Sequence, residues 1–473
     1  MSLKLYNTLT RKKEEFKPLK DKEIKWYTCG PTIYDYSHLG HAKGYVSMDV
    51  IRRYLEWSGY KVKYVQNFTD VGHLTDDENE AGEDKIEKRA KEKHVDPMAL
   101  VENYIKAYYK DFHTLNVKDA DIAPRPTQEI KEIIEFVQGL IKKEFAYVSN
   151  GSVYFDVSKF EKYGKLSGQK INELKTGARV KVRQEKKNPL DFALWIKAES
   201  GHILKYESPW SIGYPGWHIE CSVMVKKYLG DTIDIHAGGN ENIFPHNESE
   251  IAQSEALTGK KFSKYWLHWN MVKIRGVKMS KSKGNFTTIR DLLKEYDPMV
   301  VRLAILKSHY RSPVEFDKKV FEDSKKNLTE IKNLLLSLNK INKNKTNKLK
   351  VDRWTKDLIQ QFKESMDDDF NTPLSLSHFF GWVGIFNREL RGLNKEQAEK
   401  IRNGILNIDN VLGLSLNKVE EEIIPENIQK LVDEREDARE EKDWGHADKI
   451  REEIETLGYQ VEDTAQGSQI RKK

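Results

Sequence analysis

The chain has 473 residues, 38% hydrophobic and 33% charged, and 80 basic against 74 acidic side chains leave a net charge of +6. That length exceeds one ordinary core, so two to four domains are expected, and the mild basic excess permits a polyanionic partner without demanding one. Only two cysteines, Cys29 and Cys221, argue against a disulfide framework and for a reducing compartment; with no apolar signal core and no membrane-length apolar run, a cytoplasmic protein without membrane contact is expected.

Residues 1–23 are polar and basic and read as a lead-in strand and loop. Strand Ile24–Thr28, an amphipathic segment Ala42–Trp57 and strand Tyr60–Phe68 then have the lengths of a right-handed β-α-β unit. Between its first two elements lies Tyr27-Thr-Cys-Gly-Pro-Thr-Ile-Tyr-Asp-Tyr-Ser-His-Leu-Gly-His41. A strand, loop and helix in that order present a helix N-terminus to an anionic ligand. Thr69-Asp70 falls at the end of the second strand, on the same sheet edge. Residues 76–94 are crowded with both charges and read as a solvated loop or helix.

Helical periodicity returns at 98–112 and 127–142, followed by a hairpin over 145–155 with Asn150-Gly151 as its turn. The loop-rich stretch 157–215 places an inserted subdomain at roughly 118–210. Strand Thr232–His236 leads to Gly238-Gly239-Asn240, a helix runs from Pro245 through Leu257, and strand Tyr265–Ile274 runs into the loop 276–284. Beyond Ile289 the pattern is helical almost to the end, with helices expected at 298–308, 316–339, 353–365, 373–394, 396–412, 425–442 and 443–457. Six lysines and no acid over 331–350 read as a flexible connection in preference to a nucleic-acid patch.

Two segments carry chemistry. His38-Leu-Gly-His41 puts two imidazoles at a helix start, able to steady charge on a phosphate, and Gly40 lets a flat base approach the backbone. The same spacing also fits zinc or an ordinary surface pair. Far downstream, Lys278-Met-Ser-Lys-Ser282 sets two lysines and two hydroxyls in a Gly-flanked loop, a set suited to holding a triphosphate and releasing its leaving group. A metal site is also conceivable. His246 and Glu250 lie four apart on one helical face, and with Cys29 and Cys221 they would make a tetrahedral Cys₂HisGlu zinc site. Two unrelated buried cysteines and a helix-start histidine explain the same composition.

His-x-Gly-His with Lys-Met-Ser-Lys-Ser resembles the class I aminoacyl-tRNA synthetases. Cys29-Gly-Pro-Thr, Asn188-Pro-Leu-Asp-Phe-Ala-Leu-Trp195, Pro215-Gly-Trp-His-Ile-Glu-Cys221 and Phe244-Pro-His-Asn-Glu-Ser-Glu-Ile-Ala-Gln253 narrow the resemblance to the cysteinyl-tRNA synthetase family. It implies an α/β fold: a Rossmann-like parallel-sheet catalytic domain in two halves (1–117 and 211–312) around a connective insert (118–210). An all-α bundle (313–420) and a small anticodon-binding module (421–473) follow. The implied activity has two steps: L-cysteine and ATP give cysteinyl-adenylate, and cysteine then passes to the 3′-terminal adenosine of tRNA(Cys).

The resemblance also assigns roles. His38, His41, Lys278 and Lys281 are implied in catalysis; His38, Gly40, His41, Gly239 and Lys281 in binding ATP; Cys29, Gly30, Thr69 and Trp217 in binding cysteine. One Zn²⁺ per chain is implied at Cys29, Cys221, His246 and Glu250, with Mg²⁺ accompanying ATP. In the tail, Arg439, Trp444, Asp448 and Asp463 are implied to read the anticodon; the other reading there is a charged helix pair with Trp444 as its hydrophobic plug. Nothing suggests an obligate dimer, so a monomer is expected. The chain departs from the family at Glu241, where Asp is usual, at Val71–Thr75, and at Gln469-Ile470 before Arg471. Two other functions fit parts of the pattern: a ligase passing cysteine to a small amine, and a non-catalytic zinc-dependent RNA-binding protein.

Overall fold

Glu23-Ile-Lys-Trp alternates exposed and buried side chains, after which Tyr27 and Thr28 are buried in succession, as in a strand whose far end is covered on both faces. In the computed structural model, which describes residues 2–76, 81–169, 185–274, 277–278, 287–344, 347–419, 425–464 and 467–472, this strand is the centre of the architecture. β1 (Glu23–Thr28) pairs in parallel with β2 (Lys61–Gln66), Thr28 opposite Gln66. On its other side it pairs in parallel with β3 (Ile233–Gly239), Thr28 opposite Ala237, and β3 in turn pairs with β4 (Ser263–Trp269). The order is β4-β3-β1-β2. Helix α1 (Leu39–Trp57) crosses from β1 to β2, α2 (Ile219–Tyr228) precedes β3, and α3 (Glu248–Thr258) crosses from β3 to β4. The connections therefore diverge between β1 and β3, and the crevice at the carboxyl ends of those two strands is where such a sheet binds ligands.

The chain divides into two compact units, Met1–Asn417 and Lys418–Lys473. Within the first, a four-stranded antiparallel sheet is ordered Gly213–Pro215, Phe192–Lys197, Ser152–Phe155, Ala146–Ser149. Its hairpin turns at Asn150 and Gly151, whose φ values of 51° and 85° are the left-handed pair that a two-residue turn requires. Helix Ile130–Lys142 buries Ile133, Phe136, Val137 and Leu140 in the core that also holds Trp195, Cys221 and Trp266. The helical part comprises Pro298–Leu306, Lys318–Asn339, Val351–Asp367, Thr372–Glu389 and Lys395–Leu412. It is tied to α1 through Arg302, fully buried, which bonds Asp49 at 2.5 Å and the carbonyls of Leu412 and Leu115 at 2.7 and 3.0 Å. The second unit pairs helices Glu426–Glu440 and Trp444–Thr456 with a hairpin of Tyr459–Thr464 and Gly467–Lys472 around Val432, Ile450, Ile454 and Val461.

Four local expectations change. α1 starts at Leu39, not Ala42, because His38 is its N-cap. The charged run 76–94 includes helix Lys85–Lys93, capped by Asp84 and burying Ile86, Glu87 and Ala90, so it is not wholly solvated. The lysine-rich stretch 331–350 is helix as far as Asn339, with Ile331, Leu334, Leu335 and Leu338 packed inside. The strand expected over 265–274 starts at Ser263 and breaks after Trp269, resuming at Val272–Ile274. Among the described residues no helix is long and apolar enough to cross a membrane.

Candidate active site

At the end of β1 the chain must turn sharply beneath the sheet edge. A Cβ at Gly30 would lie 1.5 Å from the carbonyl oxygen of Asn67, so only glycine allows this approach. The Asn67 side chain fixes the turn: its Oδ1 accepts from the Gly30 N–H at 2.8 Å and the Tyr27 hydroxyl at 2.9 Å, while its Nδ2 donates to Thr69 Oγ1 at 3.0 Å. Thr69 in turn donates to the buried Glu220 at 3.1 Å. Burial, then the neighbouring Asp70 charge, raises the Glu220 carboxyl well above its ordinary range. Gly30, Asn67 and Thr69 line one side of a cavity of about 430 Å³ whose wall includes Cys29, His38, Gly40, His41, Trp217 and His246.

At the floor of that cavity, sheet order brings together groups far apart in sequence. Cys29 follows β1, Cys221 lies in the first turn of α2, and His246 and Glu250 straddle the start of α3. All four are buried, and one ligand atom from each lies within 4.8 Å of the others. Cys29 Sγ is 3.7 Å from Glu250 Oε1, Cys221 Sγ 3.6 Å from His246 Nε2, and His246 Nε2 3.2 Å from Glu250 Oε1. Tetrahedral bonds of about 2.0–2.3 Å separate ligand atoms by roughly 3.3–3.8 Å, so these contacts already match a four-coordinate soft-metal site.

Further polar groups hold these four side chains in place. Glu250 Oε2 meets His236 Nε2 at 2.8 Å, and Asn247 Nδ2 donates to Glu250 Oε1 at 2.8 Å and to Cys29 Sγ at 3.6 Å. Asn247 Oδ1 meets His268 at 2.9 Å, and His218 Nδ1 meets His246 Nδ1 at 3.1 Å. Burial pushes the Glu250 carboxyl up, but the His236 and His246 charges outweigh it and hold it below its ordinary value. The hydrogen bond with Cys221 pulls the Cys29 thiol down; burial and the Glu250 charge overcome it and leave the thiol raised. The hydrogen bond with Cys29, then burial, raises Cys221 well above its usual range. A cation at this point reverses that preference, since a coordinating thiol gives up its proton. His236, Asn247, His218, Asn67 and Glu220 were not singled out from sequence. Each sits inside or beside a motif, but no local spacing marks it.

The α1 end of the cavity is organised by a reciprocal cap. His38 Nδ1 accepts from the His41 N–H at 3.2 Å, His41 Nδ1 accepts from the His38 N–H at 3.4 Å, and the rings stack with centroids 3.7 Å apart. With Nδ1 an acceptor in each, the neutral tautomer carries its N–H on Nε2, so both rings present that donor beside the helix N-terminus. Leu39 N–H bonds Thr287 O at 3.1 Å and Ile289 N–H bonds Ser37 O at 3.0 Å, so the chain after the lysine motif returns to this helix start.

The remaining expected residues fall as follows. Trp217 is stacked between His73 and His246, with centroids 4.6 and 4.7 Å away. Gly239 ends β3, but the cavity wall there is Glu241 and Asn242. The Lys278 backbone pairs with Lys273 in a short ladder, and Lys281 lies outside the described residues. In the second unit Arg439 lies in the last turn of its helix, Trp444 opens the next helix, 58% exposed, and Asp448 is exposed one turn later. The backbone of Asp463 lies opposite Ser468 in the hairpin. Trp444 is therefore not the plug of the helix pair; Val432, Ile450 and Ile454 fill that place.

Comparison with known families matches residues 15–326 to the class I (C) tRNA synthetase catalytic domain, residues 361–417 to the DALR domain, and residues 422–471 to the cysteinyl-tRNA ligase anticodon-binding domain. The chain belongs to the cysteinyl-tRNA synthetase family. A cysteine–tRNA ligase of Chlorobaculum tepidum is 46% identical to this synthetase over 491 aligned residues, covering 100% of the chain and 99% of the relative. One from Thermococcus onnurineus is 45% identical, covering 99% and 98%. Among solved structures, a methionyl-tRNA synthetase of Mycobacterium tuberculosis bound to methionyl-adenylate superposes with a TM-score of 0.63 at 16% identity, covering 84% of this chain and 93% of its own. The LeuRS of Agrobacterium radiobacter K84 gives 0.62 at 10%, covering 85% of each. Both share the class I fold with this synthetase.

Proposed function

We propose that this class I synthetase is a cytoplasmic cysteine–tRNA ligase: it activates L-cysteine with ATP and transfers the cysteinyl group to tRNA(Cys), acting as a monomer. One observation carries the reading: Cys29, Cys221 and His246, clustered with Glu250, line the same cavity as His38 and His41. The four-residue set fits one zinc ion, which when bound supplies a soft Lewis acid that favours a substrate thiolate over a serine hydroxyl. Trp217 and Thr69 bound the space beside it. A site built to hold one polar group rejects analogues lacking it by roughly 10⁴–10⁵, which removes the need for an editing domain.

The Nε2 donors of His38 and His41, with the N-terminus of α1, address the ATP phosphates, and Gly40 leaves room for the base. Lys278 and Lys281 neutralise the triphosphate together with Mg²⁺. Positioning and charge stabilisation suffice for both steps, because cysteine's carboxylate displaces pyrophosphate directly and the tRNA hydroxyl then displaces AMP. Arg439, Trp444, Asp448 and Asp463 meet anticodon bases, Trp444 by stacking from its exposed position.

The deciding experiment charges total tRNA with each labelled amino acid in turn and measures zinc on the same preparation. Cysteine alone should be incorporated, with one zinc per chain; incorporation of another amino acid, or none with active tRNA, would overturn the reading.

A further inference from the structure

A second cavity, about 440 Å³, opens beside the loop that leads into His38, and none of the groups described so far lines it. Its charged lining is Lys93, Lys106, Lys110 and Arg290, with no acid among its lining residues. Lys106 and Lys110 stand one turn apart on helix Pro97–Thr114, both exposed, and Lys93 ends helix Lys85–Lys93. None of the three lysines forms an ion pair among the described residues. Arg290 is held by Asp111, whose two oxygens lie 3.0 and 3.2 Å from its Nε, and its guanidinium lies over the Tyr36 ring, 4.2 Å from the centroid. Tyr36 is 38% exposed and rests edge-on against the buried Tyr104, centroids 5.1 Å apart. Leu100, Tyr104 and Ala107 make the floor.

Three lysines and the Asp111-paired Arg290 around a partly exposed aromatic ring make a poor surface for a peptide or an apolar ligand. They make a good one for a single strand of RNA, whose phosphates take the cations and whose bases take a ring face. Location sharpens the choice. Tyr36 is two residues before His38, and Arg290 follows the segment that bonds back onto Ser37 and Leu39. The groove thus adjoins the reaction cavity through the backbone that caps α1. Resting on the reading that this chain charges tRNA, we propose that the groove is an RNA-backbone site that holds the substrate tRNA close to its single-stranded accepting end, with Lys93, Lys106 and Lys110 on phosphates and Tyr36 available to a base.

The test uses the full-length protein carrying Lys106→Glu with Lys110→Glu, two exposed positions where charge reversal leaves the core untouched. Cysteine-dependent ATP–pyrophosphate exchange should match the parent, while the KM for tRNA in charging rises about tenfold. In direct tRNA binding, the slope of log affinity against log salt should flatten by about 2, one counterion for each lost phosphate contact. The Lys106→Arg, Lys110→Arg variant should restore both quantities. An unchanged KM with an unchanged salt slope would overturn the proposal. So would a parallel fall in pyrophosphate exchange, which would put the groove on the triphosphate's path. Failure of the functional reading is a separate result, because it appears as absent cysteine-dependent exchange in the parent protein.

Discussion

At the scale of single residues, the Cys29, Cys221, His246 and Glu250 cluster and the buried Asp70 carboxyl make opposite demands on burial. Cys221 is 3% exposed and its thiol is raised far above its usual range, so it is a poor anion until a cation shares the site. Cys221→Ser keeps size and burial but removes the soft ligand. Zinc retained against a chelator should fall by more than the roughly 10–100-fold that supporting residues alone contribute. The KM for cysteine should rise while that for ATP holds; wild-type zinc content would remove Cys221 from the site. Asp70 presents the pH case. It is fully buried, accepts from the Thr127 N–H at 3.1 Å and hydroxyl at 2.7 Å, and burial lifts it from 3.8 to about 6. Between those values the folded state holds more protons than the unfolded one. Stability from this group is therefore complete below pH 3.8 and lost as pH rises through about 6, with a ceiling of about 3 kcal/mol. Asp70→Asn should abolish that component, so the melting-temperature difference between parent and variant should shift in the variant's favour from pH 4 to pH 6.5. Parallel curves would show that Asp70 does not titrate there.

At the scale of elements, the same substitution acts with opposite signs in two helices. Glycine inside a helix normally costs about 1 kcal/mol relative to alanine. A Cβ added to Gly384, in Thr372–Glu389, would meet nothing within 4 Å, so Gly384→Ala should stabilise by about 0.5–1 kcal/mol. In α1 a Cβ on Gly44 would meet the Trp269 ring at 2.5 Å, and Gly44→Ala should destabilise by about 1–3 kcal/mol as α1 is pushed from β4. Denaturant melts of the two variants check both; equal signs would refute the packing argument. Elements of this kind were legible in the sequence where pattern and packing agree, as in β1, the Asn150-Gly151 hairpin and the apolar stripe of Ile130–Lys142. Helix Lys85–Lys93 was less so, because its strong charge hides Ile86 and Ala90, which are buried nonetheless. The cavity shows the same divide: Cys29, His38, His41 and Cys221 stand in recognisable motifs. His236, Asn247 and Glu220 reach the site only because β3 lies beside β1 and α2 runs into that seam, and no local spacing encodes such a neighbourhood.

At the scale of the whole molecule, chemistry and one part of recognition fall in different units. Every described residue of the reaction cavity lies between Cys29 and Val272, inside the unit that ends at Asn417. The residues from Lys418 onward form a separate unit with its own core of Val432, Ile450, Ile454 and Val461. Among the described residues the lining of the reaction cavity is supplied wholly by the first unit, so adenylate formation has no physical need of the second. Transfer to tRNA does, if the exposed Trp444 and its neighbours hold an anticodon. A chain ending at Asn417 should therefore keep cysteine-dependent ATP–pyrophosphate exchange within about twofold, a change below 0.5 kcal/mol. Its kcat/KM for tRNA charging should fall by at least about tenfold, equivalent to roughly 1.4 kcal/mol of lost tRNA interaction. The two rates must be measured on the same preparation, since misfolding lowers both together and the predicted split lowers one. Loss of exchange would make the second unit part of the catalytic fold. Charging of tRNA at the full-length rate would strip the module of its role in recognition and leave tRNA selection to the first unit.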